Sequence, residues 1–131
     1  MCVLCDDLTS TGDLIFDDGR AAVVLHEDWA VRGHAMVVAK RHVENASGLD
    51  DDEWTHLTRV WRKAERVLLD LTGAERAIIM KLGLQTPHLH VHIYPVAATM
   101  SRAQVFDAID AKTREVRDER FVDACRRALN D

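Results

Sequence analysis

The chain lacks several features that would place it outside the cytoplasm. No stretch approaches the roughly 18 apolar residues of a membrane-spanning helix, although 47% of its 131 residues are hydrophobic. Residues 1–7 have neither the basic nor the apolar region of a signal peptide. Three cysteines argue against a disulfide framework. We therefore expect a cytoplasmic protein with no membrane segment.

An excess of positive charge is also missing. The chain has 17 Lys and Arg against 22 Asp and Glu, a formal net charge of -5. Proteins that hold long nucleic acids by bulk electrostatics carry a basic surface. We expect no long nucleic acid as a partner, although this net charge still allows a small local basic site. Free nucleotides are better candidates.

No internal repeat, linker or low-complexity tract divides the chain, so we expect a single domain over residues 1–131. Short apolar runs bounded by turn signals predict about five strands, at 14–16, 21–25, 35–39, 77–80 and 88–95. Asp18-Gly19 indicates a hairpin between the first two strands. The last two are joined by so short a link that antiparallel pairing is expected.

The remaining segments have helical patterns. Apolar residues spaced three and four apart predict a long helix from Asp50 to Leu71, with this stripe in the core: Trp54, Leu57, Trp61, Ala64, Leu68 and Leu71. Ser101 and Gln104 suggest a capping box, and a helical tail follows. The fold class is α+β, with a core at 1–96 and a helical extension at 97–131.

Residues 88–94 read His-Leu-His-Val-His-Ile-Tyr, the most informative stretch of the chain. Side chains alternate across a strand, so the spacing predicts that His88, His90 and His92 share one face. Imidazole can ligate a metal, transfer protons or attack as a nucleophile. One alternative is a solvent face that happens to be rich in histidine. Another is a catalytic metal held by the three histidines, although alternate side chains on one flat strand are poorly placed to converge on a single ion.

Cys2 and Cys5 have the spacing at which one turn of chain presents two thiolates to a metal. Zn²⁺ would need two further ligands. A redox pair fits less well because no strand precedes it, and two reduced thiols near a frayed terminus are the remaining alternative. Cys125 is interpreted as a helix residue.

The histidine stretch resembles the His-φ-His-φ-His-φ-φ signature of the histidine triad (HIT) family of nucleotide hydrolases and transferases, where φ is apolar. Residues 32–38, Arg-Gly-His-Ala-Met-Val-Val, resemble the family's Pro-Gly-His-φ-φ-Val strand. The similarity covers residues 2–95. It implies a HIT-like fold, a nucleotide substrate, no organic cofactor and a homodimer.

The resemblance assigns roles to individual residues. It makes His90 the nucleophile that attacks the α-phosphorus of a purine nucleotide, such as a dinucleoside polyphosphate or a nucleoside phosphoramidate. The carbonyl of His88 would hold Nδ1 of His90, and His34 would support the triad. The donors to phosphate would be His92, Gln85 and Thr86.

The chain departs from the family at two places. His26 stands where members usually have an Asn or Asp that contacts ribose, with Glu27 as the second candidate. The loop before the triad, residues 82–87, is shorter than in many members. These departures motivate an alternative function, a nucleotide-binding or sensing module with little turnover.

A prokaryotic branch of the family also resembles this chain at the N-terminal cysteines. The resemblance implies a structural Zn²⁺ held by Cys2, Cys5, His42 and His88. Such a closed, four-ligand site would fix the N-terminus against the catalytic strand.

Overall fold

Five strands form one antiparallel sheet in a computed structural model that describes residues 2–111 and 117–131. Their order in the sheet is β1-β2-β3-β5-β4. The strands are β1 (Gly12–Asp17), β2 (Ala21–His26), β3 (Ala35–Ala39), β4 (Arg76–Met80) and β5 (His90–Val96). The predicted α+β class, the hairpin of β1 with β2 and the antiparallel pairing of β4 with β5 are confirmed.

Four α-helices lie in the described residues, and the longest begins and ends at recognisable signals. They are α1 (Val3–Asp6), α2 (Asp51–Thr72), α3 (Arg102–Ala111) and α4 (Glu119–Asn130). A capping box between Asp50 and Glu53 starts α2, and Gly73 ends it with a φ of 72° that favours glycine. Part of the predicted helical tail, residues 112–116, lies outside the described residues. No helix in the described ranges is long and apolar enough to cross a membrane.

One face of the sheet, which we call the helix face, packs against α2 and α4. Alternate residues of the central strands enter this core, among them Val23, Val37 and Ile93. Helix α4 adds a further set to the same core: Phe121, Val122, Cys125 and Leu129. The C-terminal helix is therefore packed into the main core of the sheet.

The opposite face, which we call the histidine face, has three zones. At one end α1 and the 3-10 turn Leu8–Thr11 cover β2 and β3 through Leu4 and Leu8. At the other end α3 packs through Val105 on Tyr94 and Val96. Between the two zones β5 carries His90 and His92. The covered ends leave the histidines in the middle of the sheet.

Two predictions about local placement need correction. Trp54 and Leu71, predicted to be core residues of α2, are 45% and 39% exposed, because they lie at the ends of a helix that extends beyond the sheet it covers. Val60 is buried instead. Strand β5 begins at His90, two residues later than predicted, so His88 lies in the segment before the strand.

Candidate functional site

His90 and His92 form the centre of the site, with their ring centroids 5.2 Å apart. Nδ1 of His90 lies 2.6 Å from the carbonyl oxygen of His88, the bond that the resemblance implied. A carbonyl oxygen only accepts, so Nδ1 of neutral His90 carries the proton and Nε2 keeps its lone pair. No buried ring nitrogen of a described histidine lacks a hydrogen-bond partner. Nε2 of His90, which has no partner within residues 2–111 and 117–131, therefore reaches solvent.

A chain of hydrogen bonds behind His90 fixes the ring of His92. The carbonyl oxygen of Asp28 accepts from Nδ1 of His34 at 2.8 Å. The other nitrogen of His34 must then accept, and it lies 2.9 Å from Nδ1 of His92. His92 thus donates through Nδ1, and its Nε2 is not buried and has no hydrogen-bond partner among the described residues. One backbone carbonyl determines the tautomers of two histidines.

Burial keeps these two imidazoles neutral. It lowers the pKa of His34 to about 3, with help from His26 and His92, because a charged ring loses its hydration. Burial, followed by His90 and His26, lowers the pKa of His92 to about 4. In the free protein, the side chains of His34 and His92 are therefore uncharged at neutral pH.

His26 and Tyr94 complete the cluster by stacking. His26, at the end of β2, stacks on His34 with centroids 4.5 Å apart and planes 9° apart. Tyr94 stacks on the other side of His34 at 4.2 Å. Burial raises the pKa of Tyr94 to about 12. No role was predicted for Tyr94, although the alternation of β5 that places His90 and His92 on one face also places Tyr94 there.

A second cluster forms where the N-terminus meets the segment before β5. Cys2, Cys5, His42 and His88 bring their sulfur and nitrogen atoms within 4.8 Å of one another. Nδ1 of His88 lies 3.4 Å from Sγ of Cys2 and 3.3 Å from Sγ of Cys5. Nδ1 of His42 lies 3.1 Å from Sγ of Cys5 and 3.1 Å from Nδ1 of His88.

These separations fit a tetrahedral metal. Ligand distances typical of Zn²⁺ place nitrogen atoms about 3.3 Å from each other and about 3.6 Å from sulfur in a tetrahedron. Nε2 of His88 donates to the carbonyl oxygen of Ala39 at 2.5 Å, so Nδ1 has a lone pair facing the cluster. Burial lowers the pKa of His88, which favours the neutral, ligating ring. The four residues could hold one Zn²⁺.

The two clusters meet in His88. Its ring belongs to the cysteine cluster, and its carbonyl oxygen accepts from His90. The described residues contain no other group of three or more His, Cys, Asp or Glu with metal-ligand proximity. The rings of His90 and His92 belong to no such group, so the structure gives no support to a catalytic metal held by His88, His90 and His92.

The other predicted contacts lie around this centre. Gln85 is exposed and Thr86 is half-buried in the loop before His88, and the backbone carbonyl of Thr86 accepts from the N–H of His88 at 2.8 Å. Glu27 is exposed beside His26. Sequence reasoning missed the two carbonyl groups, of Asp28 and Ala39, that fix the rings, because a backbone acceptor leaves no signal in residue type.

Three solved structures share the fold. A histidine triad protein of Bradyrhizobium japonicum matches with a TM-score of 0.77 at 21% identity, covering 95% of each chain. A Zn-bound histidine triad family protein of Mycobacterium smegmatis matches with a TM-score of 0.72 at 18% identity, covering 98% of this chain and 93% of that one. A hypothetical histidine triad nucleotide-binding protein of Sulfolobus tokodaii gives 0.70 at 21% identity, covering 98% and 89%.

Sequence comparison extends the similarity beyond the fold. An uncharacterized HIT-like protein of Methanocaldococcus jannaschii is 26% identical over 101 residues, which cover 72% of this chain and 78% of that protein. The profile of the HIT domain matches residues 8–99. This match includes all five strands, from Gly12 at the start of β1 to Val96 at the end of β5, and the whole histidine cluster. The chain belongs to the HIT family.

Proposed function

We propose that the protein is a nucleotidyl hydrolase or transferase that cleaves the bond to the α-phosphorus of a purine nucleotide through a covalent intermediate on His90. The observation that carries the proposal is the hydrogen bond from Nδ1 of His90 to the carbonyl of His88. It leaves the lone pair of Nε2 accessible, as a nucleophile requires. The relative from Sulfolobus tokodaii, described as nucleotide-binding, supports a nucleotide as the ligand.

The reaction proceeds in two displacements. Nε2 of His90 forms a bond to the α-phosphorus, and the bond from phosphorus to the leaving oxygen or nitrogen breaks. The leaving group departs with that electron pair and takes up a proton. Water, or an alcohol or amine in a transferase, then attacks phosphorus, and the P–N bond to His90 breaks. The nucleoside monophosphate, its ester or its amidate is released, the attacking group gives up a proton to solvent, and the imidazole is restored.

His92 would stabilise the phosphate as charge moves onto its oxygens. In the free protein His92 is neutral, and it donates only toward His34. An anionic phosphate near Nε2 raises the pKa of an imidazole, so ligand binding favours a proton on Nε2 that can bond to phosphate. Gln85 and Thr86 would add donors from the loop, and His34 would keep His92 in place.

A structural Zn²⁺ on Cys2, Cys5, His42 and His88 is part of the proposal. The Zn-bound relative from Mycobacterium smegmatis supports the choice of metal. The ion would hold the N-terminal turn against the segment that contains His88 and would take no part in the chemistry. We also propose a cytoplasmic homodimer, for which β4 is an available edge strand.

The test compares wild type with His90→Ala and with His56→Ala, a matched histidine variant on α2, away from the site. The substrates are a dinucleoside tetraphosphate, a nucleoside phosphoramidate and ADP-glucose. We expect acid-quenched wild type and His56→Ala to carry a nucleotidyl adduct by mass spectrometry. His90→Ala should have none and should lose turnover by roughly a thousandfold or more. Undiminished turnover by His90→Ala would exclude His90 as the nucleophile.

A nucleotide-binding module with little turnover is the second candidate. It is favoured by the short loop before β5, in which Leu84 is 84% exposed and Gln85 is exposed, so that this loop encloses the phosphate side incompletely. Tight binding of AMP by wild type, with neither adduct nor turnover on any of the three substrates, would select this function.

A further inference from the structure

The loop between β2 and β3, residues 27–34, carries the backbone groups that order the histidine cluster. The carbonyl oxygen of Asp28 accepts from Nδ1 of His34, which in turn accepts from His92. The backbone N–H of Asp28 donates to Nδ1 of His26 at 2.9 Å. Loops move more than the strands that they join. The state of these imidazoles therefore depends on what fixes the loop.

The contacts that fix the loop lie on helix α4. Trp29, which is 2% exposed, meets the ring of Phe121 edge-on, with centroids 5.4 Å apart and planes at 69°. The guanidinium carbon of Arg32 lies 4.5 Å from the centre of the same ring, and a nitrogen of Arg32 lies 2.9 Å from a carboxylate oxygen of Asp118. A Cβ at Gly33 would lie 3.4 Å from Cζ of Phe121. One ring of α4 thus lies beside three positions of the loop.

Helix α4 is itself held at both ends, so it can support the loop. One oxygen of Asp118 accepts from backbone N–H groups in the first turn of α4, and the other is bound by Arg32. At the far end, Nδ2 of Asn130 donates to the carbonyl oxygen of Ile15 in β1 at 2.9 Å. Leu129 is buried in the core of the helix face. The carboxylate that caps α4 also ties it to the loop.

We infer that Phe121 is a positioning residue, which holds residues 27–34 so that the carbonyl oxygen of Asp28 stays at Nδ1 of His34. Phe121 packs in the core of the helix face, so the sheet separates it from the rings of the histidine face. Its influence on those rings therefore passes through the loop. It lies outside the part of the chain that matches the HIT domain.

A shift of the loop would remove the acceptor from His34. Neutral His34 could then carry its proton on Nε2, where it would face the Nδ1–H of His92. Two N–H groups cannot share one hydrogen bond, so His92 would have to turn or change its tautomer. The effect on turnover rests on the proposed function, in which His92 bonds to the phosphate that His90 attacks. We expect slower transfer of the nucleotidyl group to His90.

Three variants separate this role from general stability. Phe121→Leu removes the ring and keeps an apolar core residue. The control is Leu129→Ala at the other end of α4, which removes the same number of carbon atoms from the same core. Arg32→Gln, at an exposed position, removes the contacts of that side chain with Phe121 and Asp118 and leaves the core intact. It replaces Phe121→Leu if that variant does not fold.

The tautomers are compared in the free proteins. Long-range proton–nitrogen NMR of ¹⁵N-histidine-labelled protein separates Nδ1–H from Nε2–H rings, and His34→Gln and His92→Gln assign the signals. Wild type and Leu129→Ala should have both rings in the Nδ1–H form. Phe121→Leu should have an Nε2–H form, alone or in a mixture, at one of the two rings. Wild-type tautomers in Phe121→Leu would overturn the inference, whatever the activity of this variant.

Acid-quenched single turnovers then measure the effect on the chemistry. At saturating substrate, Phe121→Leu should form the His90 adduct about three- to thirtyfold more slowly than Leu129→Ala does, and the loss should lie in kcat more than in KM. Equal rates in the two variants would overturn the positioning role. No adduct and no turnover in wild type would overturn the proposed function instead, and the tautomers would still show whether Phe121 holds the loop.

Discussion

Acidification should destabilise the protein through His34. In the folded chain the pKa of this imidazole is about 3, against about 6.5 in an unfolded chain. As the pH falls below about 6.5, the unfolded chain takes up a proton that the folded chain does not, until the pH approaches 3. The free energy of unfolding therefore falls as the pH falls through this window, and His34 has little effect above pH 7.

The size of the effect follows from the two pKa values. Between pH 7 and pH 5 the linkage gives a loss of about 2 kcal/mol in the free energy of unfolding from His34 alone. A matched variant is His34→Gln, whose side-chain amide has both a donor for the carbonyl of Asp28 and an acceptor for His92 but does not titrate. The two proteins share the remaining titratable groups, including the four candidate metal ligands.

Urea unfolding at pH 7.0, 6.0, 5.5 and 5.0, with equal zinc in both samples, measures the difference. We expect wild type to lose about 2 kcal/mol more than His34→Gln over this range. The absolute stability of the variant does not matter, because the pH dependence is compared. Equal pH dependence in the two proteins would refute the buried, neutral state of His34.

Two further predictions concern the core and the metal. Leu68→Ala, at a fully buried position on α2, should lower the free energy of unfolding by about 2–5 kcal/mol. Leu71→Ala, at a 39% exposed position, should lower it clearly less. Equal losses in urea unfolding would contradict the packing of α2. Cys5→Ser should reduce bound zinc from one ion per chain to a small fraction, measured by plasma mass spectrometry after dialysis. Cys125→Ala, a change in the core under the helix face, should retain the zinc. A full zinc content in Cys5→Ser would show that Cys5 is not a ligand.

The strands were predictable because their apolar runs are short and end at clear turn signals. Ala35–Ala39 was predicted with its observed bounds, and Asp18-Gly19 marks the turn between β1 and β2. The alternation of β5 correctly placed His90 and His92 on one face. The predicted start at His88 was two residues early, because alternation cannot indicate where a strand begins. The ring of His88 contacts the two cysteines.

The ends of α2 were mispredicted for a related reason. Helical periodicity identifies the side that is apolar, but not how far the sheet beneath extends, so Trp54 was assigned to a core that does not reach it. The tautomers of the cluster were beyond sequence reasoning altogether. They depend on backbone groups such as the carbonyl of Asp28 and the amide N–H of that same residue, and every residue type except proline offers these two groups.

The ring of His88 belongs to one cluster and its carbonyl oxygen to the other, so a substitution at this residue affects the two clusters differently. Any substitution at His88 changes the ring, but every amino acid retains the carbonyl that His90 uses. A mutation can thus remove the candidate metal ligand in one step, but it can disturb the bond to His90 only indirectly, by shifting a peptide plane held through the ring's bond to Ala39. The cysteines, more than 80 positions away in the chain, are thus linked through one residue to the ring of His90, which they do not touch.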